Sequence, residues 1–129
     1  MIDWTTNKIE IGKLDATFYN NVSAALTPGP YLWRIVFGFR SNLAQQILYE
    51  KYLKGGALAA PPGQSAHNYG LAVDVVLVIN GVEQWNYLHP GWSWLWLVVL
   101  KSSGLHSGKV FNDPDHIQAV NWRLKRHAA

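Results

Sequence analysis

Residues 65–87 read SAHNYGLAVDVVLVINGVEQWNY, and this stretch decides the fold. The run from Leu71 to Ile79 is rich in β-branched residues, which predicts a strand. Asn80-Gly81 follows directly, and this dipeptide favours the type I′ turn of a two-residue hairpin. We therefore expect Val82 to Tyr87 to pair back antiparallel with the first strand.

An aspartate interrupts this apolar strand. Because side chains alternate across a strand, Asp74 shares one face with apolar residues such as Ala72 and Val76. A carboxylate in such surroundings is costly unless it is paired or bound to a cation. His67 precedes Asp74 along the chain, and Gly70 between them allows a sharp turn.

Predicted elements on either side of the hairpin complete a single domain, residues 1–129. Helices come first and antiparallel strands later, so the predicted class is α+β: a small antiparallel sheet with two to three helices packed around it. In the second helix, Leu43 and Ile47 recur at helical spacing. The predicted elements are helices over 15–26, 42–54 and 92–103 and further strands over 31–39 and 116–124.

The composition excludes several classes of protein. With 129 residues, 49% of them hydrophobic, the chain can form a sizeable core and does not resemble a disordered segment. Cysteine is absent, so a metal must be held by His, Asp or Glu. The net charge of +3 gives no strongly basic footprint for nucleic acid. Leu95 to Leu100, the longest unbroken apolar run, is far below the roughly 20 residues that span a membrane, so we expect no stable membrane insertion.

Three side chains from separate elements form a candidate metal site. His67 from a loop, Asp74 from a strand and His116 from the last predicted strand could converge on one point. Two neutral imidazoles and one carboxylate suit zinc with an open fourth position, which is typical of catalysis. Asp113 could then act as general base and Arg40 could stabilise an oxyanion. Spacing alone also allows His67 to be a loop histidine, Asp74 a strand-end cap and His116 a core histidine.

Longer strings are more specific than this spacing. GFRS (38–41), SAHNYGLAVDV (65–75) and DPDHIQ (113–118) together resemble the LAS-type zinc peptidases. That family includes bacterial D-Ala-D-Ala carboxypeptidases, the L-alanyl-D-glutamate endopeptidases of phage and Bacillus-type cell-wall lysis, and the zinc domain of hedgehog proteins. Asp113 and His116 fill its second motif, an acidic residue three positions before a ligand histidine. Its first motif, S-x-H-x-x-G-x-A-x-D, is filled by Ser65, His67, Gly70, Ala72 and Asp74.

The resemblance implies a set of roles. One zinc ion per chain would lie in a cleft on the sheet, held by His67, Asp74 and His116. Asp113 would be the general base and acid, and Arg40 would steady the oxyanion and the substrate carbonyl. The substrate would be the peptidoglycan stem peptide, with Ser65 either supporting the metal site or contacting that substrate.

Some alternatives remain open within the resemblance. Many members carry Glu where this chain has Asp113, whereas lysis-type endopeptidases use Asp there. This favours an L-alanyl-D-glutamate endopeptidase, with a D-Ala-D-Ala carboxypeptidase and a non-catalytic zinc-dependent binding domain as alternatives. Asp115 competes as the base, and a solvated loop carboxylate is the preferred interpretation for it.

The tryptophan-rich region adds a candidate substrate surface. Seven tryptophans occur in the chain, and Trp92, Trp94 and Trp96 are expected to fill the core. Trp85 or Tyr87, after the hairpin turn, could instead line a groove for a sugar-peptide substrate.

The N-terminus shows no basic region followed by an apolar stretch, so we find no secretory signal. Together with the compact chain, this resembles a phage endolysin. We then expect a monomer made in the host cytoplasm that acts on the cell wall after a holin releases it. In a Gram-negative host, that places its action in the periplasm.

Overall fold

The computed structural model describes residues 1–6 and 10–128, with side chains up to residue 125. Three single 3₁₀ turns, Ile11–Lys13, Ala66–Tyr69 and Gly108–Phe111, connect the longer elements. The helices are α1 Ala16–Leu26, α2 Asn42–Leu53, α3 Pro90–Lys101 and α4 Trp122–Ala128. The strands are β1 Ile2–Asp3, β2 Leu32–Phe37, β3 Ala72–Ile79, β4 Val82–Gln84, β5 Leu105–Ser107 and β6 His116–Ala119.

The strands form one sheet in which β3 is central. The sheet order is β1-β2-β3-β6-β5, with β4 also paired to β3. β4 pairs with Leu77 to Ile79 and β6 with Ala72 to Asp74, so both lie on the side of β3 away from β2. Asp74 therefore lies on the central strand, at the end of its pairing with β6.

The core lies between the sheet and two helices. Phe18 from α1 and Trp92 from α3 are fully buried, as is Trp33 from β2. The Trp33 and Trp92 rings meet edge to face, with centroids 5.1 Å apart, a favoured aromatic geometry. Trp33 pairs with Leu77 across β2 and β3, so this helix-covered face of β3 is the one opposite Asp74.

The α+β prediction is confirmed, with differences in detail. The sheet is mixed because β1 runs parallel to β2, and the described residues contain four helices instead of two to three. The predicted helices over 15–26, 42–54 and 92–103 match α1, α2 and α3 within a few residues. The Asn80-Gly81 hairpin is also present, although its second strand ends at Gln84. No helix in the described ranges has the length and apolarity needed to cross a bilayer.

The predicted strand over 116–124 is wrong in its second half. β6 ends at Ala119, and α4 begins at Trp122. Val120 donates its N–H to Gly104 O, and the chain then turns away from the sheet. Trp122 is buried and packs towards Tyr69, with ring centroids 6.3 Å apart. Alternating apolar residues here reflect a strand end followed by a helix start.

Helix α2 buries a face that its apolar spacing does not mark. Leu43 is 74% exposed and Ile47 is 48% exposed, whereas Gln45 is 1% exposed. The helix lies beside the cleft described below, so its inward side meets polar groups of that cleft. Of the three tryptophans predicted to fill the core, Trp92 is fully buried, and Trp94 and Trp96 are partly buried against the core.

Candidate metal centre

The first motif forms a tight turn that leads into β3. Ser65 caps the 3₁₀ turn Ala66–Tyr69, because its Oγ accepts the N–H of His67 at 3.3 Å. The Asn68 Oδ1 in turn accepts the N–H of Ser65. Gly70 ends the turn at φ 68°, and a Cβ there would lie 2.3 Å from Lys13 O. Only glycine fits this position without strain, and this turn presents His67 to the strand that carries Asp74.

His67, Asp74 and His116 meet at one point. Asp74 Oδ2 lies 3.4 Å from His67 Nε2, and Asp74 Oδ1 lies 3.1 Å from His116 Nδ1. Asp74 and His116 are paired residues on β3 and β6, so the sheet register itself sets their approach. Their possible ligand atoms all lie within 4.8 Å of one another. The structure thus brings together the three predicted ligands.

The electrostatics of this site keep Asp74 ionised, as a carboxylate metal ligand must be. Burial by itself would raise the pKa of Asp74, but hydrogen bonds from His116 and His67 outweigh it and hold that pKa well below its usual range. Burial lowers the pKa of His116, but the hydrogen bond and charge of Asp74, together with Gln118 and the charge of Asp113, raise that pKa by more. An ionised carboxylate between two buried imidazoles is a donor set that fits zinc, with room for a further ligand from the cleft.

Arg40 lies on the wall of the same cleft, which has a volume of about 410 Å³. Its backbone is fixed to the first motif, because Arg40 N donates to His67 O at 3.0 Å and Arg40 O accepts from Asn68 Nδ2 at 2.9 Å. Its Nη1 donates to Gln45 Oε1 at 3.0 Å. Burial lowers the pKa of Arg40, and the negative charge of Asp74 offsets part of that effect. The Arg40 guanidinium can therefore contact a substrate bound in the cleft beside His67, Asp74 and His116.

Gln45 was not singled out from the sequence. Its Nε2 donates to Ala60 O at 2.7 Å, while its Oε1 accepts from Arg40, so the side chain joins α2 to the cleft wall. The remaining wall is largely apolar. It includes Phe37, Leu48 and the segment 57–60. The sequence signal was weak, because a glutamine among the exposed-looking residues of an amphipathic helix gives no sign of burial.

Two aspartates before His116 occupy different positions. Asp113 lines the cleft, its side chain is 52% exposed, and its Oδ2 lies 3.8 Å from His116 Nδ1. Asp115 is half-buried, and its backbone O accepts the N–H of Val75 at 2.9 Å. Burial, then the charge of Asp74 and then Asp113, raise the pKa of Asp115 to about 7. The interpretation of Asp115 as a solvated loop carboxylate is therefore wrong.

The predicted substrate residues are placed differently from one another. Ser65 lines the cleft, although its Oγ already serves the turn cap. Tyr87 packs on Trp92 with centroids 4.7 Å apart, and burial together with the negative charges of Asp115 and Asp113 raises the pKa of Tyr87. Trp85 is 43% exposed and lies 6.3 Å from the Trp92 ring. Neither Tyr87 nor Trp85 is among the described residues that line the cleft.

Comparison of the sequence with known families shows which family the chain belongs to. The sequence model of the VanY family, D-alanyl-D-alanine carboxypeptidase, matches residues 12–96. The chain belongs to this family. The match includes Arg40, His67 and Asp74 and ends before Asp113 and His116, which the structure adds to the same cleft. The predicted family of peptidoglycan-acting zinc peptidases is thereby confirmed.

Solved structures share the fold of this VanY-family chain at low sequence identity. The L-Ala D-Glu endopeptidase ChiX of Serratia marcescens is 18% identical with a TM-score of 0.71, covering 98% of this chain and 94% of that one. The LD-carboxypeptidase LdcB is 20% identical with a TM-score of 0.65, covering 98% and 70%. A VanY D,D-pentapeptidase from a VanB-type cassette, in complex with Zn(II), is 20% identical with a TM-score of 0.57, covering 97% and 85%. No curated protein matches the sequence significantly.

Proposed function

We propose that the chain is a zinc peptidase that cleaves the L-Ala-D-Glu bond of the peptidoglycan stem peptide, with His67, Asp74 and His116 as the metal ligands. The observation that carries the proposal is the convergence of these three side chains with Arg40 and Asp113 in one cleft. A bound zinc ion would polarise the substrate carbonyl and lower the pKa of water to about 7.

The protein's own groups supply the rest of the chemistry. Asp113, exposed on the cleft wall, accepts a proton from the attacking water and passes it to the leaving amine. Arg40, held by Gln45, donates hydrogen bonds to the oxygen on which negative charge develops. Asp74 would stay ionised as a metal ligand, because an adjacent cation favours the charged form of a carboxyl group.

Two observations support the endopeptidase activity over an exopeptidase. ChiX, named for L-Ala D-Glu cleavage, superposes over nearly its whole length on this chain. Among the described residues that line the cleft, Arg40 is the one Lys or Arg, and its Nη1 is engaged by Gln45. A carboxypeptidase must bind a free terminal carboxylate, for which a further cation is the usual partner.

The second candidate is a D-Ala-D-Ala carboxypeptidase, favoured by the description of the matching family. Digestion of purified murein followed by mass spectrometry separates the two. New N-terminal D-Glu is the expected product, whereas release of free D-Ala would establish the carboxypeptidase instead. Metal content and chelation complete the test: about one zinc per chain and activity that chelators remove and zinc restores are expected.

Asp113 and Asp115 can be separated by matched variants. Asp113→Asn is expected to lower hydrolysis by about 10²–10⁴-fold, the range typical of a lost general base. Asp115→Asn makes the same chemical change two residues away and is expected to retain most of the activity. The reverse result would assign the base to Asp115. If both variants stay folded and keep full activity, the proposed mechanism is wrong.

The biological role we propose is that of a phage-type endolysin. The Asp at position 113 supports it, since the lysis-type endopeptidases that the sequence resembles carry Asp there. Rapid turbidity loss of outer-membrane-stripped Gram-negative cells, and lysis of intact cells only when a holin is co-expressed, are the expected results. Lysis of intact cells without a holin would contradict the proposal that a holin releases the protein from the cytoplasm.

A further inference from the structure

His67 and His116, the two candidate histidine ligands, face Asp74 through different ring nitrogens. His67 turns Nε2 towards the carboxylate, at 3.4 Å, whereas His116 turns Nδ1 towards it, at 3.1 Å. A neutral imidazole carries a proton on only one nitrogen and can bind a metal only through the other. Each ring therefore needs its proton on a different atom.

An acceptor lies against the second nitrogen of each ring. His67 Nδ1 is 2.8 Å from the backbone carbonyl oxygen of Gly38, which can only accept a hydrogen bond. His116 Nε2 is 2.8 Å from Oε1 of Gln118. A backbone carbonyl cannot be removed by substitution, but a side-chain amide can, so the His116 arrangement depends on the identity of one residue.

The strand geometry explains why Gln118 reaches His116. The two residues are two positions apart on β6, so both side chains lie on the same face, opposite to Ile117. On β3 their paired residues are Asp74 and Ala72. Ala72 carries only a methyl group, which leaves room beside it for the amide. Gln118 is 7% exposed, and in such surroundings a polar group requires a partner.

Asp74 competes with Gln118 for the proton of His116. The carboxylate lies against Nδ1 and would accept a proton there, which would block that nitrogen as a ligand. The amide oxygen of Gln118 lies against Nε2 and favours a proton on Nε2 instead of Nδ1. The balance between these two acceptors decides whether Nδ1 has a free electron pair.

We propose that Gln118 is a positioning residue that holds the proton of His116 on Nε2, so that Nδ1 is free to bind the metal. The proposal rests on the proposed function in one respect, namely that His116 is a zinc ligand. It adds Gln118, which ends the DPDHIQ stretch but fills no position of either family motif, as a residue on which metal affinity depends.

The test compares the wild type with two variants, each metal-free and labelled with ¹⁵N-histidine, at a pH where the imidazoles are neutral. Two-bond ¹H–¹⁵N correlations then report the tautomer of His116 directly. The wild type is expected to show the proton on Nε2. Gln118→Met, which keeps the length but loses the acceptor, is expected to move it towards Nδ1. Gln118→Glu, which keeps an acceptor, is expected to restore the wild-type tautomer.

Zinc affinity provides the second readout. Loss of a partner that orients a ligand histidine typically weakens metal binding by about 10–100-fold, and we expect this for Gln118→Met, with Gln118→Glu close to wild type. Gln45→Met is the matched control, because it removes another buried glutamine that does not contact His116 in the described hydrogen bonds. It should change neither the tautomer nor the zinc affinity.

The outcomes distinguish this proposal from the proposed function. A folded Gln118→Met that keeps the Nε2 proton and the wild-type zinc affinity overturns the role of Gln118, whatever the hydrolytic activity. A wild type that shows the expected tautomer and binds zinc but cleaves no murein leaves that role intact and contradicts the peptidase. If Gln118→Met does not fold, Gln118→Asn draws the acceptor back by one methylene and is expected to shift the tautomer in the same direction.

Discussion

Replacing Gly108 with alanine should displace the segment that carries Asp113 and His116. Gly108 opens the 3₁₀ turn before this segment, and its carbonyl oxygen accepts the N–H of Asp113 at 2.9 Å. A Cβ on Gly108 would lie 2.3 Å from the Asp113 carbonyl oxygen and 2.7 Å from the His116 Cβ. Ordinary contacts begin at 3.4 Å. The segment must therefore move by about 1 Å to admit one methyl group.

That shift should affect activity more than stability. Overpacking of this kind typically costs about 1–3 kcal/mol of unfolding free energy. A displacement of about 1 Å in catalytic groups can lower the rate by about 10²-fold. Because His116 moves with Asp113, zinc affinity should fall as well. Urea unfolding, competitive zinc titration and murein hydrolysis measure the three effects separately.

Gly12 provides the matched control. It also lies in a 3₁₀ turn, and a Cβ there would meet nothing within 4 Å. Gly12→Ala is therefore expected to leave activity and zinc affinity unchanged and to alter the unfolding free energy by less than about 1 kcal/mol. If Gly108→Ala behaves like Gly12→Ala in all three measurements, the close contact at Gly108 does not fix the position of Asp113 and His116.

Three further substitutions test other parts of the structure. Trp92→Ala removes a fully buried ring, and we expect a loss of about 3–5 kcal/mol in unfolding free energy by urea titration. Gln45→Leu frees Arg40 from its hydrogen bond, so kcat on stem peptides should fall while zinc affinity stays at the wild-type value. Hydrogen bonds from Thr5 contribute most to lowering the pKa of Asp3, so Asp3 stabilises the fold above the unfolded-state pKa of about 4. The stability difference between wild type and Asp3→Asn should therefore shrink as the pH falls from about 4 through the lowered native pKa, and pH-dependent unfolding curves measure this difference.

The motif residues could be predicted from the sequence because their spacing is tied to local geometry. Strand alternation assigns Asp74 to one face, and the glycine turn at Gly70 brings His67 back to it. His116 required a long-range pairing, which the sequence order indicated only through the family resemblance. The register Asp74 with His116 then follows from β3 lying beside β6.

Other parts could not be predicted because their environment comes from distant segments. Strand β1 has two residues, too few for any periodicity, and its parallel pairing with β2 made the sheet mixed. Gln45 is buried because α2 lies beside a polar cleft, which reverses the usual relation between hydropathy and burial. The raised pKa of Asp115 likewise depends on groups that are far away in the chain, including Asp74.

Because Asp74 pairs with His116 across β3 and β6, metal binding requires these two strands to be correctly aligned. A slip of one residue between β3 and β6 would turn one of the two side chains to the helix-covered face, and the ligand set would be lost. Zinc would therefore stabilise the native alignment alone, by about 2.7 kcal/mol when its free concentration is a hundred times the dissociation constant. Misaligned chains would gain nothing from the ion, so zinc supply during synthesis should raise the yield of correctly folded protein as well as its activity.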